Sequence, residues 1–211
     1  MLLTGCHFAP TAISSTAVAI IGDSYTGGSP SGGRGEHGWP AIVAVRLGRQ
    51  GLGINPAVGS EGGSGYVHRG NHKHRVFADQ IREVVRPDDR LVLIFGSPND
   101  SRVAPDELST GVHHTLGDVR ATAPKAKLLI IGPAYVNPPD SGMLGARDVV
   151  KAEAESMGAT FIDPFAEQWF IGRSDLIGAD RSHPNDAGHV YLADKISPLI
   201  AQQLQQLTKS P

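Results

Sequence analysis

The stretch AVAIIGDSYTGG, residues 17–28, runs through five apolar residues and then changes character at Gly22-Asp23-Ser24. Five consecutive apolar residues that end in a turn residue are typical of a strand buried on both faces in a parallel sheet. A serine directly after such a strand lies at the carboxyl end of the sheet, where it can cap a helix or take part in chemistry. The remainder of the chain decides between these two roles.

Four more short apolar runs follow, at residues 54–58, 91–95, 128–131 and 160–162. Helical patterns lie between and after them, at residues 39–50, 76–85, 105–123, 145–157 and 185–207. Strands that alternate with helices imply right-handed crossovers. We therefore predict an α/β fold, a three-layer α/β/α sandwich with a mostly parallel five-stranded sheet. Residues 17–207 form a single domain in this interpretation, and residues 1–16 form an N-terminal tether or the remnant of an export signal.

The composition narrows the function classes. The chain has 211 residues with 19 basic and 21 acidic side chains, a formal net charge of -2. A protein that binds nucleic acid through many phosphate contacts would carry an excess of Lys and Arg, so we expect no nucleic-acid partner. A single cysteine, Cys6, excludes an intrachain disulfide and argues against a cysteine-based zinc site.

The position of Cys6 bears on localisation. Leu3-Thr4-Gly5-Cys6 is similar to the lipobox of bacterial lipoproteins, and no other stretch approaches the roughly 18 apolar residues of a transmembrane helix. Only five residues precede Cys6, without the basic and apolar regions of a secretory signal. We expect export to the cell envelope or the extracellular space, with a possible lipid anchor at Cys6, or a cytoplasmic protein if the match is chance.

A serine hydroxyl becomes a good nucleophile when a base removes its proton. His183 is the best candidate for that base, because Asp180 stands three residues before it and can hold one ring nitrogen while the other faces Ser24. Acyl transfer also needs donors for the developing oxyanion. The candidates are the Ser24 N–H, a glycine N–H of the loop at residues 59–65, and the Asn99 amide.

These residues occur in four blocks: GDSYT at 22–26, the glycine-rich loop after Asn55, GSPND at 96–100, and DRSHPN at 180–185. In this order they resemble the SGNH (GDSL-type) hydrolase superfamily, over roughly residues 17–205. The resemblance implies a flavodoxin-like sheet and a serine esterase that needs no metal or organic cofactor. By matching position, Ser24 is the nucleophile and first oxyanion donor, Asn99 another donor, His183 the base and Asp180 its partner.

The sequence departs from the family pattern at two places. The loop NPAVGSEGGSGY, residues 55–66, carries about two extra residues, so the donor glycine is ambiguous. Gly63 is favoured, followed by Gly62 and then Gly59. Tyr25 stands where leucine is common, which can alter the acyl pocket.

Several neighbouring features have alternative interpretations. Asp23 and Asp100 are expected to cap helices or fix loops. The basic stretch HRGNHKHR, residues 68–75, is either a solvated loop or a cleft mouth that favours anionic or sugar-rich substrates. The segment GGSPSGGRG, residues 27–35, is either a floppy loop or a lid beside the nucleophile.

The function predicted is a serine hydrolase that cleaves carboxylic esters of small molecules, lipids or glycans through an acyl-enzyme. The alternative is a carbohydrate O-deacetylase or acyltransferase acting on cell-envelope glycans or lipids. A non-catalytic binding module on the same fold is the third interpretation, and it predicts that the four blocks would be broken.

Overall fold

A computed structural model of the protein describes residues 15–209, with side chains as far as residue 207. Five parallel strands form one sheet in the order β2-β1-β3-β4-β5. Their bounds are β1 Thr16–Gly22, β2 Ile54–Ser60, β3 Leu91–Phe95, β4 Lys127–Ile131 and β5 Thr160–Ile162. The predicted α/β sandwich with a parallel five-stranded sheet is confirmed.

Six α-helices cover the sheet. They are α1 Ser24–Gly27, α2 Trp39–Arg49, α3 Phe77–Val84, α4 Pro105–Thr122, α5 Ser141–Ser156 and α6 Asp186–Lys209. Pro40 and Pro105 lie in the first turns of α2 and α4, where the missing N–H costs no intrahelical bond. Among the predicted helices, α5 differs most, because it begins at Ser141 instead of residue 145.

The start of α5 is set by a cap. The Asp140 carboxylate accepts a hydrogen bond from the Met143 N–H at 2.8 Å. This bond satisfies one of the N–H groups that have no intrahelical partner, and it compensates for glycines at positions 142 and 145, which are poor helix formers.

Alternate side chains of the strands enter two separate cores, one on each face of the sheet. Val18 and Ile20 of β1 pack with α2 and α6, whereas Ala19 and Ile21 pack with α3, α4 and α5. All four are fully buried. This explains the uninterrupted apolar run at residues 17–21, because a strand covered by helices on both faces has no solvent side.

The strand register brings the functional loops to one edge. Gly22 at the end of β1 lies beside Ser60 of β2 and Phe95 of β3. The segments that follow these three strands therefore leave the sheet together, at the edge where open parallel sheets bind ligands.

The lipobox-like sequence at residues 3–6 lies outside the described residues. Between residues 15 and 209, no helix combines the length and apolar character needed to cross a bilayer.

Candidate active site

The exit of β1 presents Ser24 and buries Asp23. The Asp23 carboxylate accepts from the Tyr25 N–H at 2.8 Å and from the Ser97 hydroxyl at 3.1 Å. It therefore caps α1, as predicted. Asp23 is fully buried, and this burial raises its pKa to about 7 against the lowering effect of those two bonds.

Tyr25 connects the nucleophile segment to the segment that carries the histidine. Its hydroxyl donates to the Ser182 carbonyl at 2.6 Å, one residue before His183. Its buried ring makes edge contacts with Phe95 and Phe170. The tyrosine that replaces the family's usual leucine thus adds a direct polar link between the two segments.

His183 and Asp180 form the predicted pair. His183 Nδ1 lies 2.7 Å from Asp180 Oδ2, and Asp180 Oδ1 accepts the N–H groups of Ser182 and His183, each at 3.0 Å. These backbone bonds, chiefly that of His183, hold the pKa of Asp180 well below its usual range. The carboxylate therefore stays charged at neutral pH and can stabilise an imidazolium.

A fourth donor reaches Asp180 from residues 27–35. The Ser31 hydroxyl donates to Asp180 Oδ2 at 2.9 Å, the same oxygen that faces the imidazole. Sequence reasoning missed Ser31, because a contact across 149 positions leaves no periodicity or spacing signal.

The segment at residues 27–35 is held in place by several contacts. Ser29 and Gly32 form an antiparallel bridge, and the Gly33 N–H donates to Asp186 Oδ1 at 2.8 Å. Gly33 has a φ of +77°, and a Cβ there would overlap the His189 imidazole. At this position glycine permits both the backbone angle and the close approach of α6. These bonds show a segment docked on the start of α6 and argue against a floppy loop.

Glu61 organises the glycine-rich second loop. Its buried carboxylate accepts from the backbone N–H groups of residues 72–75 and forms an ion pair with Arg75 at 2.9 Å. Burial acts to raise the pKa of Glu61, but Arg75 and the N–H groups outweigh it and lower the pKa to about 2. A buried anion thus fixes the basic stretch against the loop.

The three candidate glycines differ in location. Gly62 and Gly63 line the same cavity as Ser24, and a Cβ on Gly62 would lie 3.8 Å from the Ser24 Cβ. Neither of their N–H groups donates a hydrogen bond within the described chain. Gly59 lies inside β2, facing α3, and a Cβ added there would lie 3.2 Å from Gln80 and from Val84. The geometry therefore favours the two later glycines over Gly59.

Asn99 follows β3 and faces the same edge. Its side-chain amide donates to the Ser64 carbonyl at 2.9 Å and, over a longer 3.3 Å, to Asp23 Oδ2. Asp100 accepts the N–H groups of residues 66–68 at 2.7 to 3.2 Å, so it fixes the second loop, as predicted.

Two cavities open beside the catalytic candidates, and Ser24 and His183 line both of them. The first, of about 410 Å³, is here named the cationic cavity. Its charged lining residues are Arg34, Glu61, Lys73 and Arg75. The glycine backbone of residues 62 and 63 forms another part of its wall.

The second cavity, of about 280 Å³, is here named the aromatic cavity. Its wall includes Tyr25, Asn99, Tyr135, Val136 and Met143, with Arg181 also in the lining. Tyr135 stacks on Phe165 at a ring separation of 4.9 Å. An ester bound at Ser24 would therefore have a cavity with an excess of basic side chains on one side and a cavity of mixed polar and aromatic lining on the other.

Side chains of the basic stretch, residues 68–75, line two different cavities. His72, Lys73 and Arg75 line the cationic cavity, whereas Arg69 lines a separate cavity beside α3 and α4. Among residues 15–209, no group of three or more His, Cys, Asp or Glu side chains is arranged to hold a metal ion.

A parallel sheet with a serine after its first strand and an aspartate–histidine pair before its last helix is the arrangement expected of SGNH-type ester hydrolases. The model of the GDSL-like lipase/acylhydrolase family matches residues 20–191, and the chain belongs to this family. It is 47% identical over 191 residues to the GDSL lipase Rv0518 of Mycobacterium tuberculosis, covering 89% of this chain and 82% of that protein. The protein is therefore a carboxylic ester hydrolase.

Solved structures share the fold. TesA superposes with a TM-score of 0.71 at 21% identity, over 89% of this chain and 99% of the other. Est24, a carbohydrate acetylesterase from Sinorhizobium meliloti, superposes with a TM-score of 0.62 at 22% identity, over 89% and 99% of the two chains.

Proposed function

We propose that Ser24 is the nucleophile of this ester hydrolase, His183 its base and Asp180 the group that orients His183. The observation that carries the proposal is the 2.7 Å contact between His183 Nδ1 and Asp180 Oδ2, on a histidine that lines the same two cavities as Ser24. With Nδ1 held by the carboxylate, Nε2 is the nitrogen left to accept the serine proton.

The reaction then has two halves. His183 takes the proton as Ser24 attacks the ester carbonyl, and it returns the proton to the leaving alcohol, which leaves an acyl-serine. Water attacks the acyl-serine with the same histidine as base, and the acid is released. Asp180 stays negative throughout and stabilises the imidazolium.

The oxyanion is stabilised by the Ser24 N–H, the Gly63 N–H and the Asn99 amide in this proposal, with Gly62 as the alternative glycine. Asn99 now donates to two acceptors. Its bond to Asp23 Oδ2 is the longer of the two, at 3.3 Å, and we expect this bond to be exchanged for one to the oxyanion.

For the substrate, we propose a short acyl ester, with a glycan O-acetyl group or an envelope lipid ester as the alternative natural substrate. The two cavities beside Ser24, of about 410 and 280 Å³, suit small groups on either side of the scissile bond, and one structural relative is described as a carbohydrate acetylesterase. Acyl transfer to a sugar needs the same acyl-serine and differs only in the acceptor. Export through the lipobox-like sequence at residues 3–6 belongs to the same proposal, because it would bring the enzyme to envelope esters.

The test is turnover of 4-nitrophenyl acetate by the Ser24→Ala variant. We expect kcat/KM to fall by roughly 10⁴-fold or more, because the nucleophile is lost and substrate binding and the other oxyanion donors remain. Ser156→Ala is the matched control, since Ser156 is an exposed serine at the end of α5 outside both cavities, and it should stay within about threefold of wild type. Turnover by a folded Ser24→Ala protein at the wild-type rate would overturn the assignment.

A further inference from the structure

Positive charge is concentrated beside Ser24 although the chain as a whole is negative. The cationic cavity is lined by Arg34, Lys73 and Arg75 and by one acid, Glu61. The chain carries a formal net charge of -2. The cavity therefore has the opposite sign to the protein, and a local field of this kind attracts anions to the site.

Arg75 is not available to a ligand in this arrangement. Its guanidinium is bound to Glu61 and Glu83 and to the Ser60 carbonyl. Arg34 and Lys73 are different, because both are exposed and neither side chain has a hydrogen bond or ion pair within residues 15–209. The two uncompensated charges of the cavity are therefore Arg34 and Lys73.

The backbone beneath both cations is fixed. The Lys73 N–H donates to Glu61 Oε1 at 2.6 Å. Residue 34 follows Gly33, whose N–H donates to Asp186 Oδ1 at 2.8 Å. Two segments far apart in sequence thus deliver one free cation each to the same cavity, from anchored positions.

Other parts of the cavity also suit a charged, hydrated group. Its remaining wall contains the Gly62 and Gly63 backbone together with Ser29, Ser60 and Asn71. Arg181, in the lining of the aromatic cavity, adds a further cation near Ser24. Two acids near this edge already have partners: Asp180 is bound by His183 and Ser31, and Asp186 accepts from the Gly33 N–H.

We propose that the cationic cavity is a subsite for an anionic group, a carboxylate or a phosphate, carried by the ester substrate close to its scissile carbonyl. Arg34 and Lys73 hold this anion while the other half of the ester occupies the aromatic cavity. The inference rests on the proposed role of Ser24, and it assigns a substrate class to the same site. The anion can belong to the acyl group or to the alcohol, and both have the same chemistry for the two cations.

The experiment compares two pairs of esters that differ in one negative charge. The acyl pair is mono-4-nitrophenyl succinate and its methyl ester, and the alcohol pair is 4-acetoxybenzoate and its methyl ester. Wild-type protein is compared with Arg34→Gln/Lys73→Gln. Arg49→Gln/Lys125→Gln removes two exposed cations outside both cavities and is the matched control.

We expect the Arg34→Gln/Lys73→Gln protein to lose about tenfold in kcat/KM for the acidic member of one pair, with the neutral member within twofold. The pair that responds shows which half of the ester lies in the cationic cavity. Added salt should reduce the preference of wild type for that acidic ester, and the control variant should retain it.

An unchanged ratio of acidic to neutral ester in both pairs would overturn the subsite. This outcome is separate from failure of the proposed function, because hydrolysis of the neutral esters and its loss in Ser24→Ala do not depend on Arg34 or Lys73.

Discussion

The loop after β1 and the loop before α6 each bring one carboxylate to the active site, and the two differ in environment. Asp23 is fully buried, and burial raises its pKa to about 7. Asp180 has a side chain that is 39% exposed, and its backbone and imidazole partners hold its pKa below the usual range. The carboxylate next to the nucleophile in sequence is thus the one less suited to stabilise a positive charge. The remote one is held as an anion and faces the histidine.

A carboxylate that lies next to the nucleophile in sequence therefore need not be the one that takes part in catalysis. The Asp23 carboxylate accepts hydrogen bonds from the Tyr25 N–H, the Ser97 hydroxyl and the Asn99 amide, and these groups fix the loops around it. Asp180 directs one oxygen to His183 Nδ1. We therefore assign a structural role to Asp23 and place Asp180 in the proposed catalytic pair. Substitution of Asp180 should change turnover, and substitution of Asp23 should change the pH dependence of stability.

The largest expected effect is the loss of turnover when Asp180 is replaced by asparagine. Asp180→Asn should lower kcat by about 10² to 10³-fold, because the amide cannot stabilise an imidazolium and can hold the wrong tautomer of His183. We place the effect in this range because both partners are partly exposed and water can replace some of the lost stabilisation. The measurement is steady-state hydrolysis of 4-nitrophenyl acetate.

Asp175→Asn is the control for Asp180→Asn, since Asp175 is an exposed aspartate nearby that pairs with Arg173. Its kcat should match that of wild type. If Asp180→Asn kept more than a tenth of wild-type activity while Asp23→Asn lost far more, the assignments of the two carboxylates would have to be exchanged.

A smaller effect is expected on the free energy of unfolding, when Asp23 is replaced by asparagine. Its folded-state pKa of about 7 lies above the value of about 3.9 of an unfolded aspartate, so folding takes up a proton between these pH values. The stabilisation from this proton is complete below about pH 4 and is lost as pH rises through 7. Relative to Asp23→Asn, wild type should gain up to about 1.4 kcal/mol in unfolding free energy for each unit that pH falls from 7.

Urea denaturation of both proteins between pH 5 and 8 measures this slope. Asp100 and His183, the other charged groups that act on Asp23, are present in both proteins, so their own contributions largely cancel. Asp106→Asn, at an exposed position in the first turn of α4, should show no comparable slope against wild type. A flat difference for Asp23→Asn would mean that the buried carboxylate keeps an ordinary pKa.

Much of the fold could be predicted because its causes are local. Apolar runs without a polar side predict strands covered on both faces, and prolines in first turns mark helix starts. The pairing of Asp180 with His183 was also predictable, since only two residues separate them in the chain. Their 2.7 Å contact agrees with that expectation.

The contacts that sequence reasoning missed are long-range. Ser31 reaches Asp180 across 149 positions, and the Tyr25 hydroxyl reaches the Ser182 carbonyl across 157. One of the two interpretations of the basic stretch put Arg69 at the cleft mouth. Arg69 instead lines a separate cavity, and Arg34, outside that stretch, lines the cationic cavity. Such contacts depend on how loops far apart in the chain pack against one another, and neither periodicity nor spacing carries that information.

The measurement that tests the central claim most directly is the site of reaction with a fluorophosphonate, mapped by mass spectrometry of the digested protein. If Ser24 is the nucleophile activated by His183, a single adduct should form on the peptide that contains Ser24. It should be absent in Ser24→Ala and form much more slowly in His183→Gln. An adduct on a different residue of active wild-type protein, or no adduct while ester hydrolysis continues, would contradict the account.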